Sequence, residues 1–99
     1  MLHIINKSPL DTPALDSCLR MAQPGSAILF IEDGVYAATR GHSAQDKVLG
    51  ACAKFKVYAL QPDLEARGVA PRLLEGVGTV DYAGFVDLTL AYPTSHTWL

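Results

Sequence analysis

Positive charge is scarce in this sequence and nowhere concentrated. Eight Lys and Arg residues stand against ten Asp and Glu, a formal net charge of -2, and no basic run could track a phosphate backbone. That pattern excludes direct nucleic-acid binding by the chain alone. Cysteine is scarce too. There are two, Cys18 and Cys52, without CxxC spacing, which argues against a disulfide scaffold or a zinc site and makes both free thiols. No apolar run approaches the ~20 residues of a membrane span. The opening "MLHIINKSP" has no basic stretch followed by a long apolar core, so the expected location is cytoplasmic. Glycine-rich phosphate loops and nucleophile elbows are also missing: Ser8, in "SPL", lacks the flanking glycines an elbow requires. No repeat, low-complexity tract or linker divides the 99 residues, and the expectation is one domain over residues 1–99.

Apolar residues, by contrast, are abundant. They make up 49% of the chain and charged residues only 18%, against a usual charged share of about 25%. A chain of this length buries roughly 60–70% of its unfolded surface. Apolar side chains therefore remain outside, where a partner subunit would cover them.

Strand and helix patterns alternate along the chain. Leu2–Ile5 is short and apolar, a first strand closed by "NKSP". Thr12 and Pro13 make a helix start, with the hydroxyl free to cap and proline favoured in the first turn, and the helix should run to about Ala22. "AILFI", residues 27–31, is apolar at every position and predicts a strand buried on both faces of a sheet. Ser43 and Asp46 have capping-box spacing, and Val48, Leu49, Cys52 and Phe55 follow at helical spacing. "KVYAL", residues 56–60, is a third strand. "QPDLEARG" is a helical turn closed by Gly68 in the left-handed conformation. "GTVDY" ends a fourth strand, Asp81 is placed to cap a helix through Tyr82, Phe85, Val86 and Thr89, and Pro93 stops it. "HTWL" forms a fifth, edge strand. The alternation predicts a small flavodoxin-like α/β fold, a parallel sheet with helices on both faces.

Ligands of such folds sit beyond the carboxyl ends of the strands, where this chain has "IEDG". Glu32 and Asp33 would repel a phosphate, and adjacent carboxylates on a strand point to opposite faces, a poor start for a metal site. The expectation is structural: Asp33 caps the following turn and Gly34 frees its backbone.

The thiols are the only nucleophiles of interest. On a helical wheel Cys18 shares the apolar stripe of Ala14, Leu15, Leu19, Met21 and Ala22, opposite Asp16, Ser17, Arg20 and Gln23. Burial there raises a thiol pKa. Cys52 lies beside Val48, Leu49 and Phe55 and reads as core. His3, His42 and His96 have no sequence-local partner that would make a catalytic geometry, and no cofactor or metal set stands out.

Several blocks together carry a resemblance: "MLHIINKSP", "LDSCLR", "LFIEDGVYAA", "VYALQPDLEARG", "VDYAGFVDLT" and the terminal "WL". In this order and over the whole chain they resemble the DsrH/TusB family of small sulfur-relay subunits. The resemblance implies a flavodoxin-like subunit that joins homologous DsrE/TusD-type and DsrF/TusC-type partners in a heterohexamer with two copies of each. It implies that the main sulfur-carrying cysteine belongs to the DsrE/TusD partner and that persulfide sulfur passes to a DsrC/TusE-type carrier. In the TusB setting the route ends in 2-thiouridine at the tRNA wobble position; in the DsrH setting it serves dissimilatory sulfur oxidation. DsrH-type sequences carry a cysteine in the block matching "LDSCLR", which makes Cys18 the candidate sulfur-handling thiol. A functional Cys18 requires its helix face to border a groove that another thiolate can enter. The resemblance also makes "EDGVYAA" an assembly signature in which Asp33 and Gly34 shape the turn while Val35, Tyr36 and Ala37 offer an apolar surface. Three roles follow: an auxiliary, non-catalytic subunit of a sulfurtransferase complex; a sulfur carrier through Cys18; and, from another class, a homo-oligomeric module binding a small ligand at the strand ends.

Overall fold

A computed structural model describes residues 1–99. Five strands, β1 (Leu2–Ile5), β2 (Ala27–Phe30), β3 (Lys56–Leu60), β4 (Gly78–Val80) and β5 (Ser95–Trp98), alternate with four helices, α1 (Ala14–Met21), α2 (Gln45–Cys52), α3 (Gln61–Ala66) and α4 (Tyr82–Ala91). A 3-10 segment, Glu32–Ala38, follows β2 and a shorter one, Ala70–Arg72, follows α3. All neighbouring strands are parallel, in the order β4-β3-β2-β1-β5. The predicted class holds, although the order differs from the 2-1-3-4-5 of flavodoxin.

That order decides how the two faces are covered. Three successive connections carry the chain from β1 outwards to β4, and connections of one hand lay their helices on one face. Here Ile5, Ile28, Phe30, Val57 and Ala59 meet Leu15, Cys18, Val48, Ala51 and Leu64 in the main core, joined by Val35, Ala37 and Ala38. Only the return from β4 to β5 uses the other face, and α4 covers it alone. Leu2, Ile4, Ala27 and Leu29 pack there against Leu88, with Tyr58, Val80 and Phe85 half-buried around them. The outer stripe of α4 faces away from the sheet: Tyr82, Val86 and Leu90, spaced i, i+4, i+8, are 62%, 57% and 75% exposed. Part of the apolar surplus read from composition lies here, and the rest is scattered over residues such as Leu10, Met21 and Leu49.

Local chemistry explains most boundaries. Thr12 Oγ1 accepts the Ala14 N–H at 3.3 Å, although Pro13 precedes the first helical residue. Asp81 caps α4 as expected, its Oδ1 accepting the Gly84 N–H at 2.8 Å, and Gly68 closes α3 at φ +69°. The Ser43–Asp46 capping box does not form. His42 takes its place: Nδ1 accepts the Ala44 N–H at 3.1 Å, and Gln45 Oε1 accepts the Gly41 N–H at 2.7 Å.

Candidate functional site

The carboxyl ends of β1 and β2 are held together by one carbonyl. Ile5 O accepts the Ile31 N–H at 3.0 Å, and the backbone of Gly34 then turns directly over the same oxygen. A Cβ at Gly34 would lie 2.1 Å from it. Close approach, not a left-handed φ, is what requires glycine. The left-handed residue is Glu32, at φ +50°.

The acidic pair faces α3. Asp63 Oδ2 accepts the Glu32 N–H at 2.7 Å, stabilising that unusual conformation with a charged hydrogen bond. Arg67 donates through Nε to Asp33 Oδ1 at 3.0 Å and lies 3.9 Å from Asp63 Oδ1. Asp33 therefore does not cap the 3-10 segment, which has no side-chain cap; its carboxylate is turned towards Arg67 instead. The Asp63–Arg67 spacing of i, i+4 is visible within "QPDLEARG", but the separation of 31 positions between Glu32 and Asp63 hid the link.

The expected apolar surface of "VYA" is also corrected. Val35 and Ala37 are fully buried in the chain's own core, and only Tyr36, 38% exposed, is left for a neighbour. A 3-10 segment turns about every three residues, which carries Val35 and Ala38 inward and Tyr36 outward.

Beside this segment the strand ends enclose a cleft of about 430 Å³ lined by Ser8, Leu10, Asp11, Tyr36, His42 and Arg72, among others. His42 and Arg72 are residues that sequence reasoning did not bring to this place. Both are already engaged. The His42 ring also bonds Ala37 O through Nε2 at 3.1 Å, which, with Nδ1 accepting, sets the neutral Nε2–H tautomer. Arg72 donates to Arg40 O at 2.8 Å, locking residues 38–40 to 72–74 through a short antiparallel bridge.

Neither thiol reaches this cleft. Cys18 lies at 0% exposure among the core residues beneath α1, and burial pushes its thiol up to about 12. Cys52, half-buried at the end of α2 near Gly76, is also raised by burial. The structure brings Asp33, Gly34, Val35 and Tyr36 into one element, whereas Cys18 lies on α1, facing the core that Val35 also joins. No three His, Cys, Asp or Glu side chains converge as a metal site, and no helix is long and apolar enough to cross a membrane.

Residues 7–95 match the family model described as DsrH like protein. The chain is 39% identical to Protein TusB of Pectobacterium parmentieri over 98 residues, covering 99% of this chain and 100% of that one. Against Protein TusB of Escherichia coli K12 the identity is 36% over the same length and coverage. Among solved structures, the ychN protein of E. coli superimposes with a TM-score of 0.76 at 17% identity, over 98% of this chain and 97% of that one. MTH1491, a protein of unknown function from Methanobacterium thermoautotrophicum, superimposes with a TM-score of 0.75 at 19% identity, over 97% and 95%. Those two likenesses establish the fold, and the near-complete matches in sequence establish the family: this chain belongs to the DsrH/TusB family.

Proposed function

We propose that this chain is an auxiliary subunit of a cytoplasmic sulfur-relay complex, serving 2-thiouridine formation at the tRNA wobble position. Its partners in this reading are homologous DsrE/TusD-type and DsrF/TusC-type subunits, and the complex hands persulfide sulfur to a DsrC/TusE-type carrier. The observation that carries the proposal is identity of 36–39% to TusB proteins over 98 residues. Two structural features support an auxiliary role. The thiolate is the form of cysteine that attacks a disulfide or persulfide, and Cys18 is buried with its thiol pushed up to about 12. The outer stripe of α4 is the apolar surface expected of a subunit, because a helix that is apolar all round is normally covered.

The test is native mass spectrometry of the chain expressed alone and with its two homologues, together with 2-thiouridine measurement in a deletion strain. A heterohexamer with two copies of this chain, and thiolation restored equally by wild type and Cys18→Ala, is the expected result. A chain that ignores the homologues, or a deletion that leaves 2-thiouridine unchanged, overturns the proposal. Thiolation lost with Cys18→Ala in an intact complex would return the sulfur-carrying role to Cys18.

A further inference from the structure

A second polar cluster lies at the opposite edge of the sheet from β4, and the relay reading makes no use of it. His3 on β1 is 3% exposed and accepts a hydrogen bond at Nδ1 from Trp98 Nε1, 3.1 Å away. His3 is registered against His96, and Ile5 against Trp98. The imidazole of His96 stands edge-on to the Trp98 ring, with centroids 4.4 Å apart. Trp98 is the only tryptophan and packs against the main core. The other three residues of β5, Ser95, His96 and Thr97, are exposed. Trp98, half-buried, is thus the one side chain that anchors the edge strand to the core.

That anchor depends on a protonation state. An indole N–H only donates, so His3 must present a bare Nδ1 and carry its proton on Nε2. A proton added to Nδ1 would set two donors against each other at 3.1 Å and leave the indole N–H without its acceptor. We propose that His3 is a pH-operated latch on β5: protonation at Nδ1 releases Trp98 and frees the edge strand from β1 while the rest of the sheet stays folded.

The surroundings bear on when this happens. Burial, the N-terminal ammonium and His96 all disfavour a charged His3, so the latch opens below the ordinary histidine value of about 6.5. On α1, which packs over the same corner, Asp16 is held by Lys47 and Arg20 donates to Ser17. Neither offers a counter-charge. Once β5 leaves, the backbone of β1 becomes an unpaired edge, a template for another strand.

The single tryptophan makes the test direct. Trp98 emission and acrylamide accessibility would be followed from about pH 7.5 to about pH 5, bracketing the histidine range, with far-UV circular dichroism on the same samples. The expected result is a red shift and increased quenching at the acid end with the far-UV signal largely retained. His3→Asn should abolish the transition or, if it loosens the anchor, show the accessible tryptophan at every pH. His96→Gln should keep the transition, shifted to higher pH because one repelling charge is gone. The latch is refuted if Trp98 emission and quenching stay constant across the range. It is equally refuted if the far-UV signal collapses with them, or if His96→Gln alone abolishes the transition.

Discussion

Replacing Gly34 by alanine adds one methyl group at the point where the chain passes closest to itself. The new Cβ would lie 2.1 Å from Ile5 O, 2.9 Å from the Ile5 carbonyl carbon and 3.4 Å from Asn6 Cα. An ordinary carbon–oxygen contact is about 3.3 Å, so the 3-10 segment must retreat by about 1 Å. The contacts are all backbone, and no side chain can rotate away to relieve them. The retreat also stretches the Gly34 N–H to Ile31 O bond of 2.8 Å or the Ile31 N–H to Ile5 O bond of 3.0 Å. Overpacking of this kind costs about 1–3 kcal/mol, and a weakened backbone hydrogen bond adds about 1 kcal/mol. A loss of about 2–4 kcal/mol is a large part of the 5–15 kcal/mol that such domains possess. At about 4–8 °C per kcal/mol it corresponds to a fall in Tm of roughly 8–32 °C. Urea titration and thermal melting measure it, with Gly50→Ala as the control: nothing lies within 4 Å of a Cβ there, and alanine in α2 should raise stability by about 0.5–1 kcal/mol. A Gly34→Ala protein losing less than about 1 kcal/mol would refute the close-approach account.

The remaining predictions concern charge and thiols. Asp63→Ala should cost about 1.5–3 kcal/mol by removing a charged hydrogen bond to the Glu32 N–H, whereas Asp33→Ala, whose side chain is 55% exposed, should cost less than about 1 kcal/mol; urea titration of the two variants reverses this order if the account is wrong. In the native protein Cys52 should react with a thiol reagent before Cys18, and Cys18 at the rate of chain opening; equal native rates would contradict its burial. Because the folded state holds the Cys18 thiol at about 12 against 9.0 in the unfolded chain, stability is complete below about pH 9 and falls by about 1.4 kcal/mol per unit from there towards pH 12. The urea midpoint of Cys18→Ala should lose much of that alkaline slope. On the acid side His3, lowered by burial, binds its proton more readily when unfolded. Stability should therefore decline as pH falls below about 6.5, a decline that His3→Asn removes.

Elements were legible wherever local physics determines them. "AILFI" is apolar throughout because β2 is buried on both faces, and Asp81 caps because its oxygen reaches the Gly84 N–H three residues on. The burial of Cys18 was legible in its apolar stripe, because helical periodicity reports burial directly, whereas the resemblance kept it as a candidate sulfur-handling thiol. Long-range satisfaction was not legible. The partner of the Glu32 N–H lies on α3, so Asp33 was assigned a capping role that the segment does not use. Nor could periodicity of 3.6 or 2 assign "VYA", since a 3-10 turn follows neither, and Val35 went to the surface in expectation and to the core in fact. The capping box failed for a related reason: Ser43 and Asp46 have the right spacing, but His42 and Gln45 already hold the turn.

These particulars bear on function through where the chain spends its polar groups. At the strand ends, where an α/β enzyme usually leaves donors and acceptors free for a ligand, Asp63, Arg67, His42 and Arg72 are bonded to the chain's own backbone or to each other. Both thiols are raised by burial, away from the thiolate form that sulfur transfer uses. Large apolar side chains are exposed as well, Tyr82, Val86 and Leu90 in one stripe of α4 and Leu10, Met21 and Leu49 elsewhere. The arrangement found here is in keeping with the auxiliary role proposed above, and it leaves the α4 stripe as an apolar face on the outside of the subunit.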